Sequence, residues 1–142
     1  MTRFILDTDI LRLFQEGHEA VCRRIYAHAL VELATTVITV EEQLSGWYTL
    51  IRRAKGLEQL SHAYQRLADN VTFLGHLHIL SFTEEAIRRY EYLRSLKLGV
   101  KKMDLRIAAI TLEHGGVLVT RNVRDFQDIP GLAIENWAIA EE

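Results

Sequence analysis

The chain has 142 residues, the size of one ordinary domain, with 49% hydrophobic and 25% charged residues and a formal charge of -2. One proline, eight glycines and no low-complexity tract exclude a disordered chain, and a single cysteine, Cys22, excludes an intrachain disulfide and a thiolate zinc site. The near-neutral balance excludes a general pull toward nucleic acid, so any such contact needs a local basic patch beside acids.

The opening MTRFILD reaches an acid at position 7 and does not read as a signal peptide. No stretch approaches the roughly eighteen uncharged apolar residues of a membrane span, so no membrane role and a cytoplasmic location are expected. Phe4-Ile5-Leu6 is a short apolar run closed by Asp7 and predicts a buried first strand. From Asp9 to Leu33, with Val21, Ile25 and Leu30 on a helical period, one or two short helices are predicted, broken near Gly17. The β-branched Val37-Ile38-Thr39 predicts a strand or an extended lead-in.

The period then changes. Val40, Leu44, Trp47 and Ile51 recur at helical spacing, Ala54-Lys55-Gly56 interrupts, and Leu57, Leu60, Tyr64, Leu67, Val71 and Leu74 form a second stripe. These predict an antiparallel helical hairpin in which each helix covers the other's apolar face. His78 to Phe82 is a candidate strand, and Thr83 caps a helix whose buried side is Ala86, Tyr90 and Leu93. Leu105 to Leu112 is apolar nearly all round, as in a helix clamped on a sheet. Val117-Leu118-Val119 reads as a central strand and Leu132-Ala133-Ile134, after the Pro130-Gly131 turn, as an edge strand. Strands alternating with helices, with no hairpin signal, predict one three-layer α/β/α domain with a mainly parallel sheet and a helical hairpin.

Ligands of an open parallel sheet collect beyond the carboxyl ends of its strands. Asp7 lies at such an end, and Asp125 lies five residues beyond Thr120, which closes another. Asp104 opens the apolar helix, and Glu42 lies about 200° round its helix from Val40, away from the apolar stripe. Each acid alone is ordinary, as a turn residue, a first-turn acid or a solvated helix face. Their joint placement is what points to chemistry. Clustered carboxylates suit magnesium or manganese, which take oxygen ligands and can activate water on a phosphodiester.

Four segments carry a resemblance. FILDTDIL resembles the opening of PIN-domain proteins, with Asp7 on the family's first metal-ligating aspartate. TVEEQLSG resembles the helix-start acid followed four residues later by glycine, which puts the match on Glu42. KKMDLRIAA resembles the third motif, with Asp104. VLVTRNVRDFQDIPGLAIENW resembles the C-terminal signature, with Thr120 and Asn122 beside the pocket and Asp125 as the fourth acid. Many PIN proteins have aspartate where Asn122 stands, so the fourth position lies between Asn122 and Asp125. The resemblance covers nearly the whole chain and is strongest to toxins of bacterial toxin–antitoxin pairs. It implies a magnesium- or manganese-dependent endoribonuclease acting on RNA, silenced by a small antitoxin whose basic side chain enters the acidic pocket. The two long hairpin stripes, with Trp47 and Tyr48, predict separately that part of this surface is shared with a second copy in a homodimer or with a partner helix.

Asp9 reads as a cap of the following helix or a holder of water, and Thr8 as a turn residue. Lys97, Lys101, Lys102 and Arg106 bracket Asp104, and Arg121 and Arg124 bracket Asn122. A charge cluster is commonly a solvated face, but here both flank the acids, where they could engage phosphates. Cys22, the histidines, Trp47 and Trp137 read as structural or interface residues. Two alternatives remain open. D-T-D-I-L also resembles the nucleophile motif of haloacid-dehalogenase-like phosphatases, with Asp7 phosphorylated, although Ile10-Leu11 stands where glycine-threonine is expected. The other is a non-catalytic RNA- or protein-binding module.

Overall fold

The structure, a computed structural model, describes residues 3–140. In chain order its elements are β1 (Phe4–Leu6), α1 (Thr8–Gln15), α2 (Glu19–Tyr26), β2 (Leu33–Thr36), α3 (Val37–Arg53) and α4 (Gly56–Leu74). They continue with β3 (His78–Leu80), α5 (Glu84–Ser95), α6 (Lys102–Glu113), β4 (Val117–Val119), α7 (Val123–Phe126) and β5 (Ala133–Glu135). The five strands pair in the order β3-β2-β1-β4-β5, every pair parallel.

Alternation along the strands makes the layers. Ile5, Ala34 and Leu118 point into one core with Ala86, Tyr90 and Leu93 of α5 and Ile107 and Ile110 of α6. Their neighbours Leu6, Leu33 and Val119 point into the other, against Ile10 and Leu11 of α1, Val21 and Ile25 of α2 and Leu74 of α4. Both strand faces are therefore apolar, as a doubly covered parallel sheet requires. Each fully buried Leu, Ile or Val among them contributes about 2 kcal/mol. The approach of β4 to β1 depends on Gly116, where a Cβ would stand 2.7 Å from Ile5 Cδ1 and 3.0 Å from the Arg3 carbonyl oxygen. Beyond β5, Trp137 is fully buried, stacks on His28 at 4.8 Å and donates from Nε1 to Glu135 Oε1 at 3.0 Å.

Three expectations need correction. Val37-Ile38-Thr39 is helical, because the strand lies just before it and ends on Thr36, whose hydroxyl accepts from the Thr39 N–H at 3.1 Å and starts α3. Once that cap forms, β-branching no longer decides the conformation. The candidate strand at His78 stops at Leu80, two residues short of Phe82, before the Thr83 cap, which accepts from the Ala86 N–H at 3.2 Å. The hairpin of α3 and α4 exists, but its stripes are not closed within the chain. Leu57 is 90% exposed and Tyr64 and Val71 are more than half exposed; of that stripe Leu74 is buried as expected, and the other buried positions of α4 are Ala63 and Asn70, which lie outside it. Among the described residues no helix is long and apolar enough to cross a membrane.

Candidate functional site

β1 lies mid-sheet with β2 on one side and β4 on the other, so the order of strand addition reverses there. The crevice at such a reversal opens beyond the strands' carboxyl ends. The structure has a cleft of about 370 Å³ at that place, lined by Asp7, Thr8, Asp9, Arg12, Glu42, Lys101, Asp104, Ile107, Arg121, Asn122 and Asp125. All four acids picked out in the sequence line it.

Asp7 is placed by two elements at once. Its backbone N–H donates to the Val119 carbonyl at 3.1 Å, tying the end of β1 to β4. Its side chain caps α1, Oδ1 accepting from the Ile10 N–H at 2.9 Å. Burial pushes its carboxyl up from 3.8 to about 6; the Thr120 hydroxyl and the Ile10 N–H oppose that rise, and the charges of Asp9 and Asp104 add to it. Thr120 in turn accepts from the Asn122 N–H at 3.0 Å, so this buried hydroxyl links the turn after β4 to Asp7.

Glu42 comes from the first turns of α3 and is held by Thr8, whose hydroxyl donates to Glu42 Oε1 at 2.7 Å and lies 3.2 Å from Thr39 Oγ1. The sequence reading missed this role of Thr8. Its only signal was position, directly after Asp7 and facing the start of another helix. Asp104 lies in the first turn of α6. Its carboxyl is raised by partial burial and by the charges of Glu42 and Asp125, against the lowering effect of Lys101. Asp125 is in the first turn of α7, and Asn122, the residue before that helix, lines the cleft without using its side chain as a cap.

Asp9 does not cap α1, since Asp7 does. It sits instead between two arginines, Arg12 one turn along α1 and Arg121 after β4, and pairs with both. Of the predicted cations, Lys101 and Arg121 reach the cleft lining, while Lys97, Lys102, Arg106 and Arg124 are not part of it. The Arg106 guanidinium lies over the rings of Tyr90 and Phe82 at 5.2 and 5.5 Å.

The donor set is carboxylate oxygen throughout, with mutual repulsion visible in the raised Asp104. Among the described residues no three His, Cys, Asp or Glu side chains converge into a ready-made metal cage. Magnesium keeps several waters and takes one or two carboxylates, so an oxygen-only donor set of this kind suits it chemically. A second groove of about 240 Å³ shares Thr8, Arg12 and Glu42 with the cleft and runs along α3 past Gly46, Trp47 and Leu50.

The sequence model of the PIN domain matches residues 4–132. A curated relative, Ribonuclease VapC2 of Rickettsia felis, is 35% identical over 69 residues, 46% of this chain and 52% of the relative. The chain thus matches about half the length of that relative. Among solved structures, DNA-bound VapBC from Salmonella typhimurium superposes with a TM-score of 0.78 at 27% identity, over 96% of this chain and 99% of that one. A toxin-antitoxin complex from Klebsiella pneumoniae gives 0.70 at 25% identity, over 94% and 96%. The match over residues 4–132 sets aside the phosphatase alternative for Asp7. The chain belongs to the PIN-domain family, with VapBC-type proteins among its relatives.

Proposed function

We propose that this chain is a magnesium- or manganese-dependent endoribonuclease and the toxin of a toxin–antitoxin pair. The carrying observation is the gathering of Asp7, Glu42, Asp104 and Asp125, from four separate elements, around one cleft at the sheet's carboxyl edge. One or two of these four acids would ligate the metal directly and the others would act through its bound waters, with Asn122 offering a neutral oxygen beside Asp125. A divalent ion bound there supplies an activated water and offsets charge on a phosphodiester during in-line displacement. The chain's own residues do the rest. Thr120 and the α1 cap fix Asp7, Thr8 aims Glu42, and Lys101 brings a positive charge beside Asp104, where the phosphate backbone enters.

The partner follows from the adjoining groove and the exposed stripe. A small antitoxin segment fits the groove along α3, where a basic side chain could reach Glu42 and offset the acids' repulsion. The open stripe of α4, with Leu57, Leu60 and Tyr64 exposed, supplies an apolar face for a second copy.

The test is incubation of purified protein with a mixed RNA pool and manganese, with EDTA and Asp104→Asn as controls. Metal-dependent fragments, absent in both controls, are expected. RNA retained uncut, and bound equally in EDTA, would replace the nuclease with a binding module.

A further inference from the structure

Asp9 and the two arginines beside it are unexplained by the metal site. Asp9 presents both carboxylate oxygens. Arg121 grips it at two points, Nε to Oδ2 and Nη2 to Oδ1, the latter at 3.4 Å, and Arg12 Nη2 also meets Oδ1. Arg12 belongs to α1 and Arg121 to the turn after β4, so the three side chains bridge the cleft mouth from both sides of Asp7. Arg12 has a second, looser acid partner in Glu16, at 3.6 Å.

We propose that Arg12 and Arg121 form the phosphodiester-binding pair of the cleft, and that Asp9 is an internal carboxylate occupying that pair in the free protein. This rests on the nuclease reading, since it names where the substrate's backbone is held. A phosphodiester carries one negative charge over two non-bridging oxygens, the same forked acceptor that Asp9 offers, and guanidinium groups take both in the same two-point geometry. Both arginines are about half exposed, at 50% and 44% of their side-chain surface, so their ion pairs exchange readily with an incoming anion. Asp9, in the first turn of α1, stays close enough to compete. RNA binding therefore swaps one anion for another, which keeps two cations ordered beside the acids and disfavours weakly held polyanions.

The experiment is anisotropy of a labelled RNA oligonucleotide in EDTA, at low salt, with full-length protein. Asp9→Asn is expected to tighten binding about fivefold and Arg12→Gln or Arg121→Gln to weaken it, with the double arginine variant lowering the salt slope by about 1.4 at most on a single strand. The Asp9→Asn gain should vanish in the Arg12→Gln/Arg121→Gln background, because the competition acts through those side chains. The same gain in that background would be bulk charge and would overturn the proposal, as would an Asp9→Asn protein that binds no better than wild type. Loss of the manganese-induced rise in melting temperature in Asp9→Asn would reassign Asp9 as a metal ligand. The nuclease reading fails separately, if wild type binds RNA and never cuts it with manganese.

Discussion

Asp7→Asn separates the cost of the acidic site from its use. In the folded protein the Asp7 carboxyl is pushed from 3.8 up to about 6, mainly by burial. Between those two values the folded chain binds more protons than the unfolded one. The stability tied to that proton is complete below 3.8 and is lost as pH rises through about 6. At about 1.4 kcal/mol per pH unit, burying Asp7 in the metal-free protein costs about 3 kcal/mol at pH 8, where it is ionised, and about 1 kcal/mol at pH 4.5, where folding takes up a proton on it. Asparagine keeps the Oδ1 acceptor for the Ile10 N–H and caps helices as well as aspartate does. Its amide nitrogen can no longer accept from Thr120, which offsets part of the gain. That offset is independent of pH. The difference between variant and wild type should therefore move by about 2 kcal/mol between the two pH values, in the variant's favour at pH 8. For a domain of this size this is about 7 °C in melting temperature. Thermal or urea melts in EDTA at both pH values measure it directly. Manganese at pH 8 should then reverse the order by stabilising wild type alone. A variant that differs from wild type equally at both pH values would refute the burial argument.

Three further outcomes follow from the same geometry. Manganese should raise the wild-type melting temperature by RT ln(1 + [L]/Kd), about 2.7 kcal/mol at a hundredfold excess over Kd, and EDTA should return it; a flat calorimetric titration at millimolar ion would contradict the site. Thr8→Val, which removes the 2.7 Å hydrogen bond to Glu42 but no acid, should lower kcat about tenfold with the fold intact, and Thr8→Ser should restore it; equal activity in Thr8→Val would leave Glu42 positioned by packing alone. Leu57→Lys on the open face of α4 should turn a dimer into a monomer in light scattering while melting stays within about 0.5 kcal/mol of wild type. A wild-type protein already monomeric, alone and with its partner gene co-expressed, would remove the dimer.

What the sequence made legible and what it hid divide along a physical line. Hydrophobic periodicity reports burial along one element, so β1, β4, α5 and the α3–α4 hairpin could be located from it. It says nothing of which capping group wins at an element's edge. Thr36 and Asp7 both act as caps, and so the helical Val37-Ile38-Thr39 and the displaced role of Asp9 went unread. Likewise, strand-end and helix-start placement put four acids in one cleft, because a parallel sheet sends all those termini to one edge. Contacts across elements, such as Thr8 with Glu42 or Arg121 with Asp9, depend on side-chain directions that spacing does not carry. The second stripe shows the converse. Its helical period was correct, yet Leu57, Tyr64 and Val71 remain in solvent, because a period states that a face is apolar and not what covers it. An apolar face that the described residues leave open is thus itself information: it is the place where the proposed second copy or partner would sit, and the Leu57→Lys variant tests it.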